Sequence, residues 1–84
     1  MNTYKTIEEP ISVTAFFNGQ QVKPLFFKWN SREYTVTKIN MVHSTREGRD
    51  KIYYFSVIDN ANYFKLKYNS STLQWSLEET YPNF

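Results

Sequence analysis

The chain has 84 residues and a mass of 10.1 kDa, which is enough for one domain with a single small core. Hydrophobic residues make up 40% of the chain and charged residues 21%, and the net charge is +2, so the composition excludes a disordered chain. With no Cys and one His, the sequence also excludes a disulfide framework, a zinc ribbon and a histidine-rich metal site.

The chain divides into three parts. Residues 1–9 are predicted to form a flexible N-terminal arm, residues 10–80 a single β domain and residues 81–84 a C-terminal tail. The arm has no apolar stretch of the kind found in signal peptides, and no segment approaches the ~18 apolar residues that a membrane span requires. Together with the absence of Cys, these features predict a cytoplasmic protein that makes no membrane contact.

Apolar and polar side chains alternate through most of the chain, as in Leu73, Trp75 and Leu77. A period of two residues is typical of half-buried antiparallel strands. Six strands are predicted, at 10–17, 20–29, 34–43, 51–59, 62–69 and 73–80. The fold class is therefore all-β, with a single antiparallel six-stranded sheet that is strongly curved or closed into a small barrel or roll.

In the N-terminal half, the Asn-Gly pair at 18–19 predicts a type I′ hairpin turn. Simple pairing across that turn would point the second strand's apolar residues outward, so we expect a bulge at Pro24. The bulge would turn three side chains inward, those of Leu25, Phe27 and Trp29.

The third predicted strand needs a second shift, near 37–38, to bring Ile39 and Met41 to the core. After this strand, residues 44–50 are rich in charged side chains and contain no apolar residue. We predict that this segment is the longest loop of the domain and its most mobile element.

The two C-terminal hairpins predict a common apolar face. A two-residue turn at 60–61 places Val57 opposite Phe64, and one at 70–71 places Leu66 opposite Trp75. The side chains that share this face are Tyr53, Phe55, Val57, Phe64, Leu66, Tyr68, Leu73, Trp75 and Leu77.

Enzyme motifs are absent from the sequence. It contains no glycine-rich phosphate loop, no nucleophile elbow and no spaced set of metal ligands. His43, which Asp50 could orient as a base, is interpreted as an ordinary residue at a loop edge. The sequence thus predicts a protein that is not an enzyme and carries no cofactor or metal.

The outer face of the last three predicted strands carries a row of tyrosine and lysine side chains. By the predicted register, Tyr54 lies opposite Lys67, with Tyr63 and Lys65 beside them; these four residues are named the Tyr–Lys strip. Aromatic rings can stack bases and lysines can contact phosphates, so the strip is a candidate site for single-stranded nucleic acid. If the sheet curls round, further cations that would widen it are Lys28, Lys38, Arg46 and Arg49. The alternative interpretation is that Tyr–Lys pairs merely cover the sheet.

A second functional hypothesis is a protein-interaction or self-associating module with no nucleic-acid contact. Phe16 and Phe26 are predicted to point outward, and residues 79–84 end on exposed aromatic side chains. A barrel that does not close would also leave strand edges free for pairing, which would allow a homodimer.

Several short motifs resemble a group of short bacterial domains of unknown function. They are Pro10-Ile11-Ser12-Val13, Gly19, Pro24, Phe27-Lys28-Trp29, Arg32, Tyr34-Thr35-Val36, Tyr54-Phe55-Ser56-Val57 and Trp75-Ser76-Leu77. The shared pattern is Pro-Ile-x-Val, then Pro-x-x-Phe-x-Trp-x-x-Arg-x-Tyr-x-Val, then Tyr-x-Val and Trp-x-Leu. The resemblance implies a small β fold and a bacterial origin, and it implies no activity.

Overall fold

The structure is a computed structural model that describes residues 5–19 and 21–82 as seven strands of one antiparallel sheet. The strands are β1 Lys5–Phe17, β2 Val22–Trp29, β3 Arg32–Thr35, β4 Lys38–Glu47, β5 Asp50–Ile58, β6 Asn62–Asn69 and β7 Gln74–Pro82. The predicted all-β class and curved sheet are confirmed, with seven strands rather than six. Over the described residues, no helix is long and apolar enough to cross a membrane.

The sheet is curled into a half-barrel. Its strand order is β3-β2-β1-β7-β6-β5-β4, so β3 and β4, which follow one another in the chain, form opposite edges. Only two residues join them. The Val36 N–H donates to the Leu25 carbonyl at 2.9 Å, and the Thr37 N–H donates to the Ile58 carbonyl at 2.8 Å. This short link brings the two edges together at one corner and forces the sheet to bend.

The extra strand arises because the predicted strand at 34–43 is divided at this link. The division lies next to the shift that we predicted near 37–38. Ile39 packs against the core as predicted. The prediction for Met41 is wrong: the register shifts between Ile39 and Met41, which places Met41 opposite Ser56 on the outer face and leaves it 61% exposed.

The first strand begins earlier than predicted. Of the predicted arm at 1–9, residues 5–9 belong to β1 and pair with β7, whereas residues 1–4 lie outside the described part of the chain. The register of this pair shifts between Thr6 and Glu9, and Ile7 packs against the core. This packing explains why the domain begins before residue 10. At the other end, β7 continues to Pro82, so residues 81–82 of the predicted tail belong to a strand and residues 83–84 lie outside the described part of the chain.

A type I′ turn does occur, but at a different hairpin. The β2–β3 turn has φ of 53° at Asn30 and 63° at Ser31, which is the backbone twist that suits a two-residue hairpin. The β1–β2 connection instead spans residues 18–21, and the Asn18 N–H donates to the Gln21 carbonyl at 3.0 Å. The predicted two-residue turn at 18–19 is therefore wrong.

The bulge at Pro24 is confirmed, with one correction. The β1–β2 register shifts between Thr14 and Ala15, so Leu25 becomes the extra residue on β2. Phe27 is 1% exposed, and Trp29 packs against the core, as predicted. Leu25 itself is 44% exposed, because a bulged residue has no place in the alternation of the strand.

The β5–β6 register is confirmed, including the pairs Val57–Phe64 and Phe55–Leu66. The β6–β7 register is wrong by two residues, because the connecting turn spans 70–73 and Leu66 therefore pairs with Leu77. An error of two residues leaves the side chains up to Leu77 on their predicted faces. Beyond Leu77 the register shifts again, so Glu78 is an extra residue and Glu79 and Thr80 lie on the faces opposite to those that alternation predicts. Leu73 also departs from its predicted face, because it lies in the turn with a φ of 62° and is 70% exposed.

The predicted loop at 44–50 is also wrong. β4 continues to Glu47, β5 begins at Asp50, and the tight turn between them has Gly48 at a φ of 64°. Charge suggested a loop, but both strands continue to the turn with charged residues paired across them. We name residues 44–53 the hairpin tip.

A cluster of buried, mostly aromatic side chains fills the inner face of the half-barrel. Its members are Phe27, Phe55, Val57, Phe64, Leu66, Tyr68, Trp75 and Leu77. Ile52 is also buried, but it lies outside this cluster, because it alternates with Tyr53 and faces the outer side of β5.

Candidate nucleic-acid interface

The structure brings together the Tyr–Lys strip on the outer face of β5 and β6. Tyr54 lies opposite Lys67, as predicted, and the Lys65 Nζ lies 5.0 Å from the centroid of the Tyr54 ring, a cation–π contact. Tyr63 lies two positions from Lys65 on the same face of β6.

An acidic residue lies next to each lysine of this strip. The Glu47 Oε1 lies 3.9 Å from the Lys67 Nζ, and the Tyr54 hydroxyl donates to the Glu47 Oε2 at 3.5 Å. Lys65 lies opposite Glu79, because the β6–β7 register shifts beside Lys65. Each lysine of the strip thus has an acidic neighbour, which weakens the attraction of this face for a polyanion.

Tyr54 offers a test of the electrostatics of the strip. Burial raises the pKa of Tyr54 above its ordinary value of 10.0, and Glu47 and Glu78 raise it further, while Lys67 lowers it. Because folding favours the neutral phenol, its contribution to stability is complete below pH 10 and is lost as the pH rises through the folded-state pKa. We expect the tyrosinate absorbance titration of Tyr54→Phe to lack a step with its midpoint above pH 10.0. A missing step at or below that value would contradict this environment.

The two arginines predicted to widen the strip do not join it. Arg46 lies directly opposite Lys51, on the side of the hairpin that Tyr53 also faces, and Arg49 lies in the turn. The predicted site residues therefore fall on two faces of the β4–β5 hairpin.

The inner face of the hairpin tip is basic. We name Arg46, Lys51 and Tyr53 the basic tip face; Arg49 adjoins it in the turn. Like charges directly opposite each other on paired strands are destabilising. Neither Arg46 nor Lys51 forms an ion pair with any residue in the described ranges.

The acidic pair of the same hairpin, unlike the basic pair, has partners for both of its side chains. Glu47 and Asp50 lie opposite each other on the outer face, but each has a partner. Lys67 lies beside Glu47, and the Asn69 Nδ2 donates to the Asp50 Oδ2 at 3.1 Å. Charge is thus segregated across the hairpin tip, and the cations are the uncompensated half.

A row of aromatic rings leads away from these cations across the inner face. The Lys51 Nζ lies 5.2 Å from the Tyr53 ring centroid. The Tyr53 and Tyr68 centroids are 6.3 Å apart, and the Phe17 ring meets Tyr68 edge-on at 6.0 Å. Phe17 is 55% exposed, so the far end of the row is open to solvent.

Lys51 and Phe17 are not among the site residues predicted from the sequence. The position of Lys51 opposite Arg46 cannot be predicted as long as the hairpin tip is interpreted as a loop. Continuing the alternation of β4 and β5 through a two-residue turn at 48–49 pairs residue 46 with residue 51 and residue 47 with residue 50. That register would have revealed the two like-charged pairs from the sequence alone.

His43 lies on the outer face and has an aromatic neighbour. Its ring stacks on Tyr54, with centroids 5.0 Å apart and planes inclined by 21°. Asp50, the group that could have oriented it, bonds Asn69 instead. In the described ranges, no group of three or more His, Asp or Glu side chains is placed to hold a metal ion.

Comparison with known proteins adds no relative. No protein-family model, no curated protein and no solved structure matches this chain. The resemblance to short bacterial domains stays a prediction, and any functional inference has to come from the geometry of the chain itself.

Proposed function

We propose that the chain is a non-enzymatic binding module that holds single-stranded nucleic acid on the basic tip face. The observation that carries the proposal is the opposed pair of Arg46 and Lys51, which have no carboxylate partner among residues 5–19 and 21–82. Phosphate groups bound between them would relieve the repulsion between the two cations.

The neighbouring aromatic rings favour a single strand over a duplex. Bases in a duplex are stacked on each other, whereas those of a single strand are free to stack on aromatic side chains. Tyr53 next to Lys51 offers one such ring, and the exposed Phe17 offers another at the end of the row. A strand whose phosphates lie along Arg46 and Lys51 would direct its bases toward these rings.

The proposal transfers the main contact from the Tyr–Lys strip to the opposite face of the hairpin. The strip would then be a secondary surface, because Glu47 and Glu79 neighbour its lysines. We place the protein in the bacterial cytoplasm, on the support of its cysteine-free sequence and of its resemblance to bacterial domains.

Replacing Arg46 and Lys51 by glutamine together should weaken binding of a labelled mixed-sequence single strand. The slope of log affinity against log salt should flatten by about 0.7 for each phosphate that is no longer neutralised, or about 1.4 for two phosphates. Fluorescence anisotropy at several salt concentrations measures both the affinity and the slope. The matched control is the double variant Lys65→Gln and Lys67→Gln, which removes the same charge from the Tyr–Lys strip and should change the slope less.

The outcomes discriminate between the two faces and a third possibility. A larger loss of affinity in the strip variant would place the contact on the outer face. Absence of salt-sensitive binding by the unaltered chain would reject the nucleic-acid proposal. The remaining candidate would then be a protein partner, for which Phe16, 51% exposed on the outer face, is the first residue to replace.

A further inference from the structure

The edge formed by β4 is long and open. β4 has ten residues, pairs only with β5 among the described strands, and is exposed at every position except Ile39. An edge strand presents a row of backbone N–H and C=O groups that can pair with another strand.

The two edges of the sheet differ in how they are protected. The opposite edge, β3, has four residues, and it begins with the charged pair Arg32 and Glu33. Short length and charge are two of the means by which proteins block an edge. In β4, by contrast, residues 40–45 contain no Lys, Arg, Asp, Glu or Pro, and Met41 and Val42 are 61% and 50% exposed.

We propose that β4 pairs antiparallel with β4 of a second copy of this chain, forming a symmetric dimer. The strand begins with Lys38 and ends with Glu47. Antiparallel self-pairing would therefore bring a lysine of one copy near a glutamate of the other at both ends. The uncharged segment 40–45 would lie in the middle, where no like charges would meet.

The symmetry of this interface follows from using the same strand twice. An isologous contact closes after two copies, so it consumes the open edge without producing a fibre. The inner faces of the two sheets would be continuous, and both basic tip faces would lie on the same side of the dimer. The inference concerns the edge of β4 and does not depend on nucleic-acid binding.

The mass of the chain in solution tests the dimer directly. Sedimentation equilibrium of the full chain should give twice its mass of 10.1 kDa. A lysine on the edge should restore the single mass in either of two variants, Val42→Lys or Ser44→Lys, because edge lysines block strand pairing. Leu25→Lys is the matched control, since Leu25 is exposed on an interior strand, and it should remain dimeric.

A cysteine scan locates the two-fold axis. The chain has no native Cys, so single replacements of Met41, Val42, His43 and Ser44 report without background. The position nearest the axis faces itself and should oxidise to a covalent dimer faster than its neighbours and faster than Leu25→Cys, because a disulfide needs Cα atoms about 4.4–6.8 Å apart.

The proposal fails on either of two results. A monomeric mass for the unaltered chain would overturn it, as would a dimer that persists in both edge variants while they retain the far-UV circular dichroism of the parent chain. Ser44→Lys replaces no apolar side chain, so it keeps the test valid if Val42→Lys does not fold. Nucleic-acid binding by a monomeric edge variant would show that the two proposals are separate.

Discussion

Replacing Phe55 by alanine is expected to lower the free energy of unfolding by about 3–5 kcal/mol. Phe55 is 0% exposed and pairs with Leu66 of β6. Its ring lies 5.5 Å from that of Trp75. Small domains have total stabilities near the lower end of about 5–15 kcal/mol, so this single cavity would remove a large share of the stability.

The matched control is Phe16→Ala, which deletes the same ring from a site that is 51% exposed. It should cost less than about 1 kcal/mol, because its surroundings are largely solvent already. Urea denaturation followed by far-UV circular dichroism measures both variants. Equal losses of stability would mean that the inner face of the half-barrel is not the main source of stability.

The success of the core prediction has a simple physical origin. A strand that is half buried must alternate, and a two-residue turn at 60–61 gives a register that places Val57 opposite Phe64 on the buried face. The adjacent hairpin tolerates an error of two residues for the same reason. Alternation therefore identifies which face is buried more reliably than it identifies which residue lies opposite which.

The errors lie where alternation is interrupted. Leu25 and Met41 both lie at register shifts, where a bulge moves side chains by one position. Pro24 indicates one of these bulges, but the sequence does not show which residue is the extra one. The hairpin tip differs from its prediction for another reason, because its charges suggest the solvation of a loop. Pairing of β4 with β5 up to the turn at Gly48 gives the backbone groups hydrogen-bond partners that water would supply in a loop. It also leaves the charged side chains exposed.

The candidate site is only partly accessible to sequence reasoning. The Tyr54–Lys67 pair follows from the β5–β6 register and is confirmed. The acidic neighbours do not follow, because Glu47 falls in the predicted loop and Glu79 reaches Lys65 through a register shift. Whether a lysine is free to bind a phosphate depends on such neighbours, and they come from other strands.

The second large effect is expected from Ile52→Ala, and it should be local. Ile52 is 1% exposed but lies outside the core cluster, between Thr45 of β4 and Asn69 of β6. Removing a buried Ile side chain to Ala costs about 2–5 kcal/mol. Because this side chain packs within the hairpin tip, we expect that cost to appear as easier opening of residues 44–53 rather than of the whole sheet.

Two hydrogen bonds connect the hairpin tip to the turn between β6 and β7. The backbone N–H and the hydroxyl of Ser70 both donate to the Lys51 carbonyl, at 3.1 and 2.9 Å, which ties the 70–73 turn to the start of β5. If the packing of Ile52 holds this junction in place, removing the Ile52 side chain should also disturb Lys51 and weaken single-strand binding. The basic tip face would then lose affinity although none of its own side chains had changed.

Hydrogen exchange followed by mass spectrometry separates local from global opening. In Ile52→Ala, amides of the hairpin tip should exchange at least about thirtyfold faster, the equivalent of about 2 kcal/mol, while those around Leu66 keep their protection. Val57→Ala is the control, since Val57 is equally buried but belongs to the core cluster, and it should accelerate exchange throughout the sheet. Identical exchange patterns in the two variants would show that the tip and the core unfold as one unit. In that case a change in the packing of the hairpin tip could not alter single-strand binding without also destabilising the core.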